Sequence, residues 1–241
     1  MTRNRLDHYL VARGLAATRS QADNYIKLGR VEVNGQIVMK SSYNIAENAV
    51  VNLTSPIKYV SRAALKLESV TDKFRLDFSV KVVLDVGSST GGFTDYALQH
   101  GASRIIAVDV GKNQMDGSLR HDPRIELHEQ TDIRNIKKLS TKIDYCLIDV
   151  SFISIRPVLK HLHVLLENDC MIIAMVKPQF EANNREFKHK GVIKNEGMRR
   201  KILKDFEGWA RSRYKIIDKA DSRVAGPKGN IERFYLLKSI Q

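Results

Sequence analysis

The chain is expected to be α/β, a doubly wound and mainly parallel sheet preceded by a small α+β unit. Three observations predict this. The sequence has 241 residues, 43% of them apolar and 28% charged, enough for a sizeable core in one large or two unequal domains and unlike a disordered chain. From Val80 onward, short apolar runs alternate with stretches of helical spacing, the pattern of parallel strands joined by helices. Residues 1–55 follow a different plan, two short helical patterns and then a hairpin.

Between Arg5 and Gly29, apolar residues recur at helical spacing (Leu6, Leu10, Val11, then Ala22 and Ile26) on either side of Gly14-Leu15-Ala16. Two short helices around a turn are expected. Val31 and Val33, an Asn34-Gly35 pair, and then Ile37 and Val38 predict a hairpin, because Asn-Gly accepts the left-handed dihedrals of a two-residue turn. Val50, Val51 and Leu53 add a further strand, and Thr54-Ser55-Pro56 closes the unit. The boundaries read as a domain at 1–55, a linker at 56–61 and a second domain at 62–241. In the second domain, strands are expected at 80–87, 104–110, 125–132, 145–151 and 171–177, with helices at 91–101 and 153–166. A basic helix near 197–213 precedes KIIDKADSRV and ERFYLLKSI, separated by Gly226-Pro227-Lys228-Gly229. Those two runs predict an antiparallel hairpin at the sheet edge.

The net charge of +13 points to a polyanionic partner, nucleic acid or an anionic membrane. It divides unevenly, as +4 over 1–60, +1 over 61–177 and +8 over 178–241, so a nearly neutral middle is flanked by cationic ends. The apolar runs, of the Cys170-to-Val176 kind, are far shorter than the roughly 20 residues that cross a bilayer. The opening MTRNRLDHYL is amphipathic and does not read as a secretory signal, so a cytoplasmic protein without a membrane partner is expected. Cys146 and Cys170 sit inside apolar runs and read as core residues, which excludes a disulfide scaffold and a zinc site. No metal is expected, and the oligomeric state is not legible.

The chemistry begins at LDVGSSTGGFTDYAL, where a strand runs into Gly87, Ser88, Ser89, Thr90, Gly91 and Gly92 and then a helix starting near Phe93. Glycines at such a turn let a ligand approach the backbone, and a helix N-terminus offers free amides. The bland alternative is a tight turn needing glycine only for its dihedrals. Asp109, about 20 residues on, ends the next strand where a carboxylate can accept from ribose hydroxyls, and Asp132 ends the third. A dinucleotide dehydrogenase shares the strand, the glycine turn and the acid, but D-V-G-S-S-T-G-G-F is not G-x-G-x-x-G. Asp85 lies two residues before the first glycine, a detail that resembles the S-adenosylmethionine (SAM) pocket of class I methyltransferases, where it could attract the cofactor's cationic amine.

A second set comprises Lys66, Asp149, Lys177 and Glu232. Asp149 and Lys177 end predicted parallel strands, where open α/β sheets bind ligands. Residue type alone reads Lys66 and Glu232 as surface charges on a helix and an edge strand. Gathered in one cleft, the four could hold an ammonium partly deprotonated, able to act as a general base.

YVSR ahead of AALKLE, then LDVGSSTGGFTD, LIDVSFIS and VKPQFE, resemble the TlyA/hemolysin A family of FtsJ-like ribosomal RNA 2′-O-methyltransferases. RLDHYLVARGLAATRSQADNYIKLGRVEVNGQIVMK resembles that family's S4 RNA-binding domain. The resemblance implies a Rossmann-like class I SAM-dependent methyltransferase sheet behind an S4-like domain, SAM as cofactor, and rRNA or a ribosomal subunit as partner. It implies methyl transfer to a cytidine ribose 2′-hydroxyl, in 23S rRNA for short members such as this and also in 16S rRNA for longer ones. The family's K-D-K-E tetrad falls on Lys66, Asp149, Lys177 and Glu232. Lys177 would then be the base, Asp149 would hold its ammonium, and Lys66 and Glu232 would orient the nucleotide. One departure is Ala63-Ala64, where many relatives have glycine.

On the S4-like unit, Arg3, Arg5, Arg19, Lys27, Arg30 and Lys40 are the expected phosphate contacts, contributing salt-dependent and largely nonspecific affinity. The basic helix with Arg199, Arg200, Lys201, Lys204, Arg211 and Arg213 either extends that surface or is a solvated face, and His161 and His163 read as ordinary surface residues. A noncatalytic ribosome-binding factor and a membrane-active hemolysin are the competing readings; the second has no apolar span behind it.

Overall fold

The computed structural model describes residues 4–16, 18–46, 48–54, 58–182, 191–226 and 229–240. Arg3, Pro56 and Ile57 of the 56–61 linker, and Pro227 and Lys228 lie outside them.

In the N-terminal unit, β1 (Asn4–Arg5) leads directly into α1 (Leu6–Ala12), followed by α2 (Arg19–Lys27), β2 (Val31–Val33), β3 (Gln36–Ile37), β4 (Asn44–Ile45) and β5 (Val51–Leu53). Thr18 caps α2 by accepting from the Gln21 amide at 3.1 Å, satisfying one of the amides that a helix start leaves free. The expected hairpin forms, with Asn34 and Gly35 both at positive φ. Leu6, Leu10, Ala22, Ile26, Val31 and Ile45 close a separate small core. The β1–β4 pair has no counterpart in the sequence pattern, since two-residue strands have no periodicity to read.

The second unit continues with α3 (Arg62–Phe74), β6 (Val82–Val86), α4 (Gly92–Gln99), β7 (Arg104–Val108), α5 (Gly117–Arg120), β8 (Ile125–His128), β9 (Tyr145–Ile148), α6 (Arg156–Leu165), β10 (Met171–Val176), α7 (Pro178–Glu181), α8 (Glu196–Ala210), β11 (Tyr214–Asp221) and β12 (Arg233–Ser239). The seven strands lie in the order β11-β12-β10-β9-β6-β7-β8. Strands β6 to β10 are mutually parallel, and β12 runs antiparallel to both β10 and β11. Helices cover both faces: Val83 packs on the α3 and α4 side, whereas neighbouring Leu84 packs on the α6 and α8 side. That two-sided burial is why the strands read as continuous apolar runs. The chain leaves β6 outward to β7 and returns on its other side at β9, so the switch point lies between the ends of β6 and β9, where open sheets form their ligand crevice.

Three expectations change with the structure. The terminal hairpin does lie at the sheet edge, but β11 is the edge strand and β12 is internal, so Glu232, just ahead of β12, is not on an edge. The basic helix is not a uniform cationic face: Arg199 is buried and paired with Asp221 and Glu196, Arg200 pairs with Glu196, and Arg211 lies near Glu207. His161 and His163 are half-buried rather than on the open surface; His161 shares a hydrogen bond with the Ile136 carbonyl and His163 with Ser239 Oγ.

Candidate active site

The turn after β6 is built for close approach. Gly87 has φ +83°, and a Cβ there would lie 2.8 Å from the Asp149 carbonyl oxygen of the neighbouring strand end. Gly91 caps α4 at φ +89°, where a Cβ would meet Leu119, and a Cβ on Gly92 would lie 2.6 Å from Ser61 Oγ. Glycine at these positions therefore answers both to dihedral need and to neighbouring atoms. A small cavity of about 80 Å³ opens against the turn, lined by Asp85, Gly87, Ser88, Ser89, Thr90, Gly92, Phe93 and Asp149, with Ser61 and Ala63 of the α3 start. It adjoins a cleft of about 520 Å³ bordered by Asp109, Gln114, Asp132, Arg134, Ser151, Phe152 and Ser20. Gly87, Ser89 and Asp149 line both, and the larger volume is that of an ordinary small-molecule site.

Asp85 is fully buried; one carboxylate oxygen accepts from Thr94 Oγ1 at 2.7 Å, and the other has no partner among the described residues. Burial pushes its pKa up to about 7, with the nearby Asp149 and Asp109 charges adding to the effect. Ser88 Oγ is likewise buried and unpartnered among the described residues. Unsatisfied polar atoms at a cavity wall are costly, and a cationic amine placed there would supply the missing partner. Asp109 accepts from the amides of Ser89 (2.9 Å) and Gly111 (2.6 Å), which fixes its carboxylate at the cleft wall. Asp132 reaches the same wall but is held by Arg134 through both oxygens.

The predicted tetrad divides into two ion pairs. Lys66 donates to Glu232 Oε1 at 3.1 Å, and both are buried, which corrects the surface reading of these two residues. The second Glu232 oxygen is unpartnered among the described residues, and a Cβ on Gly226 would lie 2.5 Å from Oε1. Lys177 Nζ lies 2.5 Å from Asp149 Oδ1 and donates to Ser151 Oγ at 2.5 Å. The Asp149 contact is an ion pair, whereas the hydrogen bond from Nζ goes to Ser151. Ser151 and Glu181 lie within LIDVSFIS and VKPQFE but are not among the candidate site residues. Glu181 accepts from Ser154 Oγ (2.8 Å) and the Ile155 amide (2.7 Å) and so anchors the loop carrying Ser151 and Phe152. Phe152 is exposed at φ +67°, its ring 5.4 Å from that of Phe180.

The N-terminal unit reaches this site. Ser20 of α2 lines the cleft, and the Tyr25 hydroxyl (3.0 Å) and the Gln21 side-chain amide (3.3 Å) donate to Asp116. Asn24 donates to the Val60 carbonyl at 2.7 Å. Among the expected phosphate contacts, Arg5 and Arg19 share Asp7, Lys27 pairs with Asp23, Arg30 lies over the Tyr25 ring, and Lys40 is exposed. The described residues hold no cluster of potential metal ligands and no helix long and apolar enough to cross a membrane.

Comparison with known proteins identifies the family. The FtsJ-like methyltransferase family matches residues 59–239 and the S4 domain family residues 4–51. Hemolysin A of Brachyspira hyodysenteriae is 37% identical over 232 residues, 95% of this chain and 97% of that protein. The 23S rRNA (cytidine-2′-O)-methyltransferase TlyA of Campylobacter jejuni is 36% identical over 94% of this chain and 96% of that one. A solved structure of a Streptococcus thermophilus protein named for hemolysin superposes with a TM-score of 0.78 at 33% identity, covering 100% of this chain and 90% of that one. The chain belongs to the TlyA/hemolysin A family of S4-domain, FtsJ-like methyltransferases.

Proposed function

We propose that the chain binds SAM in the cleft between β6 and β9 and transfers its methyl group to a cytidine ribose 2′-hydroxyl of rRNA, with 23S rRNA as the substrate. One observation carries the reading: Asp149 lines the cavity at the glycine turn and the larger cleft, and it also faces the Lys177 ammonium. A proton acceptor and a cofactor-sized cleft thus meet at one side chain. When bound, SAM supplies an electrophilic methyl group on a sulfonium.

The protein's part is to orient the hydroxyl and take its proton. Lys177 Nζ, in its uncharged form, accepts the 2′-hydroxyl proton, and Asp149 stabilises the ammonium that results. Ser151 fixes the direction of Nζ. Lys66 and Glu232, locked to each other in a buried pair, present fixed edges to the nucleotide, and holding the hydroxyl in line with the methyl supplies much of the acceleration. Phe152 offers a ring face to an unstacked base. The residues fit SAM through the free Asp85 oxygen for its amine, the glycine turn for its carboxylate side and Asp109 for its ribose.

Incubation of purified protein with methyl-labelled SAM and either 23S or 16S rRNA, as deproteinised RNA and as subunits, followed by nucleoside digestion, tests this. Label in 2′-O-methylcytidine from 23S rRNA is expected. Label in neither RNA, with SAM bound, would favour a noncatalytic ribosome-binding factor.

A further inference from the structure

In the N-terminal unit one buried carboxylate holds two arginines. Asp7, the second residue of α1, is 2% exposed. Its Oδ1 accepts from Arg5 Nε and from the His8 amide, both at 3.0 Å, and its Oδ2 accepts from an Arg5 terminal nitrogen and from Arg19 Nε, both at 2.9 Å. Its backbone is fixed as well, because the Asp7 amide donates to the Ser41 carbonyl, the Leu6 amide donates to the Tyr43 carbonyl, and β1 pairs with β4. The Arg5 and Arg19 side chains are 42% and 59% exposed. Those hydrogen bonds leave one terminal nitrogen of Arg5 and both of Arg19 available for a further acceptor.

Two other cations of this unit are used differently. Lys27 is matched one-to-one by Asp23, and Arg30 lies over the Tyr25 ring. At Asp7 two guanidiniums face one carboxylate, leaving a net positive charge in a fixed geometry. Burial alone would raise the Asp7 carboxyl, yet the two arginines hold it down at about 2, so it is ionised at every working pH. Arg19 is also next in sequence to Ser20, which lines the cleft beside Asp109 and Phe152.

We infer that Asp7 is the positioning residue of a preformed phosphate clamp, with Arg5 and Arg19 held by it to grip the RNA backbone at the rim of the methyl-transfer cleft. This rests on the RNA-methyltransferase reading above and names the residue that orients its grip. A guanidinium fork suits phosphate only when its plane is set, and the shared carboxylate sets two planes at once.

The proposal gives a sign opposite to that of charge alone. Asp7→Asn makes the unit more cationic, so simple attraction predicts tighter RNA binding, whereas loss of positioning predicts weaker binding. The experiment measures binding of the full chain to deproteinised 23S rRNA over a range of salt, alongside SAM affinity and thermal melting. Asp7→Asn is expected to weaken RNA binding roughly 3- to 10-fold, the size of one oriented hydrogen bond. SAM affinity should be unchanged, and the substitution should add nothing in an Arg5→Ala/Arg19→Ala background. Should Asp7→Asn fail to fold, Arg19→Lys decides: it keeps the charge but loses the fork, and it should bind RNA as weakly as Arg19→Ala. Wild-type or tighter binding by Asp7→Asn, or wild-type binding by Arg19→Lys, while Arg5→Ala and Arg19→Ala weaken it, overturns the positioning role. If the two alanine variants bind RNA normally, the RNA reading of this surface fails and the clamp with it; methyl transfer to rRNA, tested separately, would still stand.

Discussion

The Tyr25 hydroxyl donates to Asp116 Oδ2 at 3.0 Å, and the Asp116 amide donates to the Thr90 carbonyl of the glycine turn at 3.2 Å. A side chain of the S4 domain is therefore two hydrogen bonds from the predicted cofactor loop. Burial and the Asp116 charge push the Tyr25 pKa up to about 12, so the hydroxyl remains a donor at every working pH. Tyr25→Phe should cost about 1 kcal/mol of stability and weaken SAM binding a few-fold. Calorimetric titration checks this, and unchanged SAM affinity would mean that the contact only docks the domains.

Gly87→Ala should be more severe at the cofactor site. The new methyl would sit 2.8 Å from the Asp149 carbonyl at a backbone φ of +83°, a strain of about 1–3 kcal/mol. SAM affinity is expected to fall at least roughly tenfold, the equivalent of about 1.4 kcal/mol, while far-UV circular dichroism stays native.

If Asp85 receives the SAM amine as proposed, SAM binding should depend on pH. With its pKa raised to about 7 by burial, the carboxylate that attracts an amine is depleted below that pH, while the amine stays cationic. Affinity should therefore rise between about pH 5.5 and 7, by up to roughly tenfold per unit. Stability without ligand has the opposite sign. The unfolded chain releases this proton near pH 4 and the folded one near pH 7, so the Asp85 contribution falls as pH rises across that window and is flat above it. Asp85→Asn should remove both slopes, as checked by titration calorimetry and by thermal melts at each pH.

The buried Lys66–Glu232 pair should behave as a unit. Lys66→Ala strands a carboxylate that is 2% exposed and is expected to destabilise the fold by about 3–5 kcal/mol. Glu232→Gln in the same chain should recover part of that in urea unfolding, because the uncompensated charge is gone.

The alternation of apolar runs makes the parallel sheet legible, and the Asn34-Gly35 pair makes the hairpin legible, because both are local signals. Lys66 reads wrongly as a surface charge because its partner is 166 residues away: a lysine on an amphipathic helix looks solvated until the chain end folds over it. The long basic helix is ambiguous for the same reason, since the Asp221 that neutralises Arg199 belongs to a later strand. Asp85, Asp109 and the glycines can be found because one strand-turn-helix unit and the strand after it carry the whole pocket signal. Ser151 and Glu181 lie inside the motifs LIDVSFIS and VKPQFE, but their roles, like the Tyr25–Asp116 contact, are visible only once separate elements meet.

The proposed mechanism turns on Lys177 as the proton acceptor, and the most direct measurement is single-turnover methyl transfer to 23S rRNA by Lys177→Ala, with SAM and RNA affinities determined on the same preparation. Loss of at least roughly a hundredfold in rate, the scale of general-base catalysis, with both affinities within a few-fold of wild type, is the predicted result. Methyl transfer at the wild-type rate would contradict it.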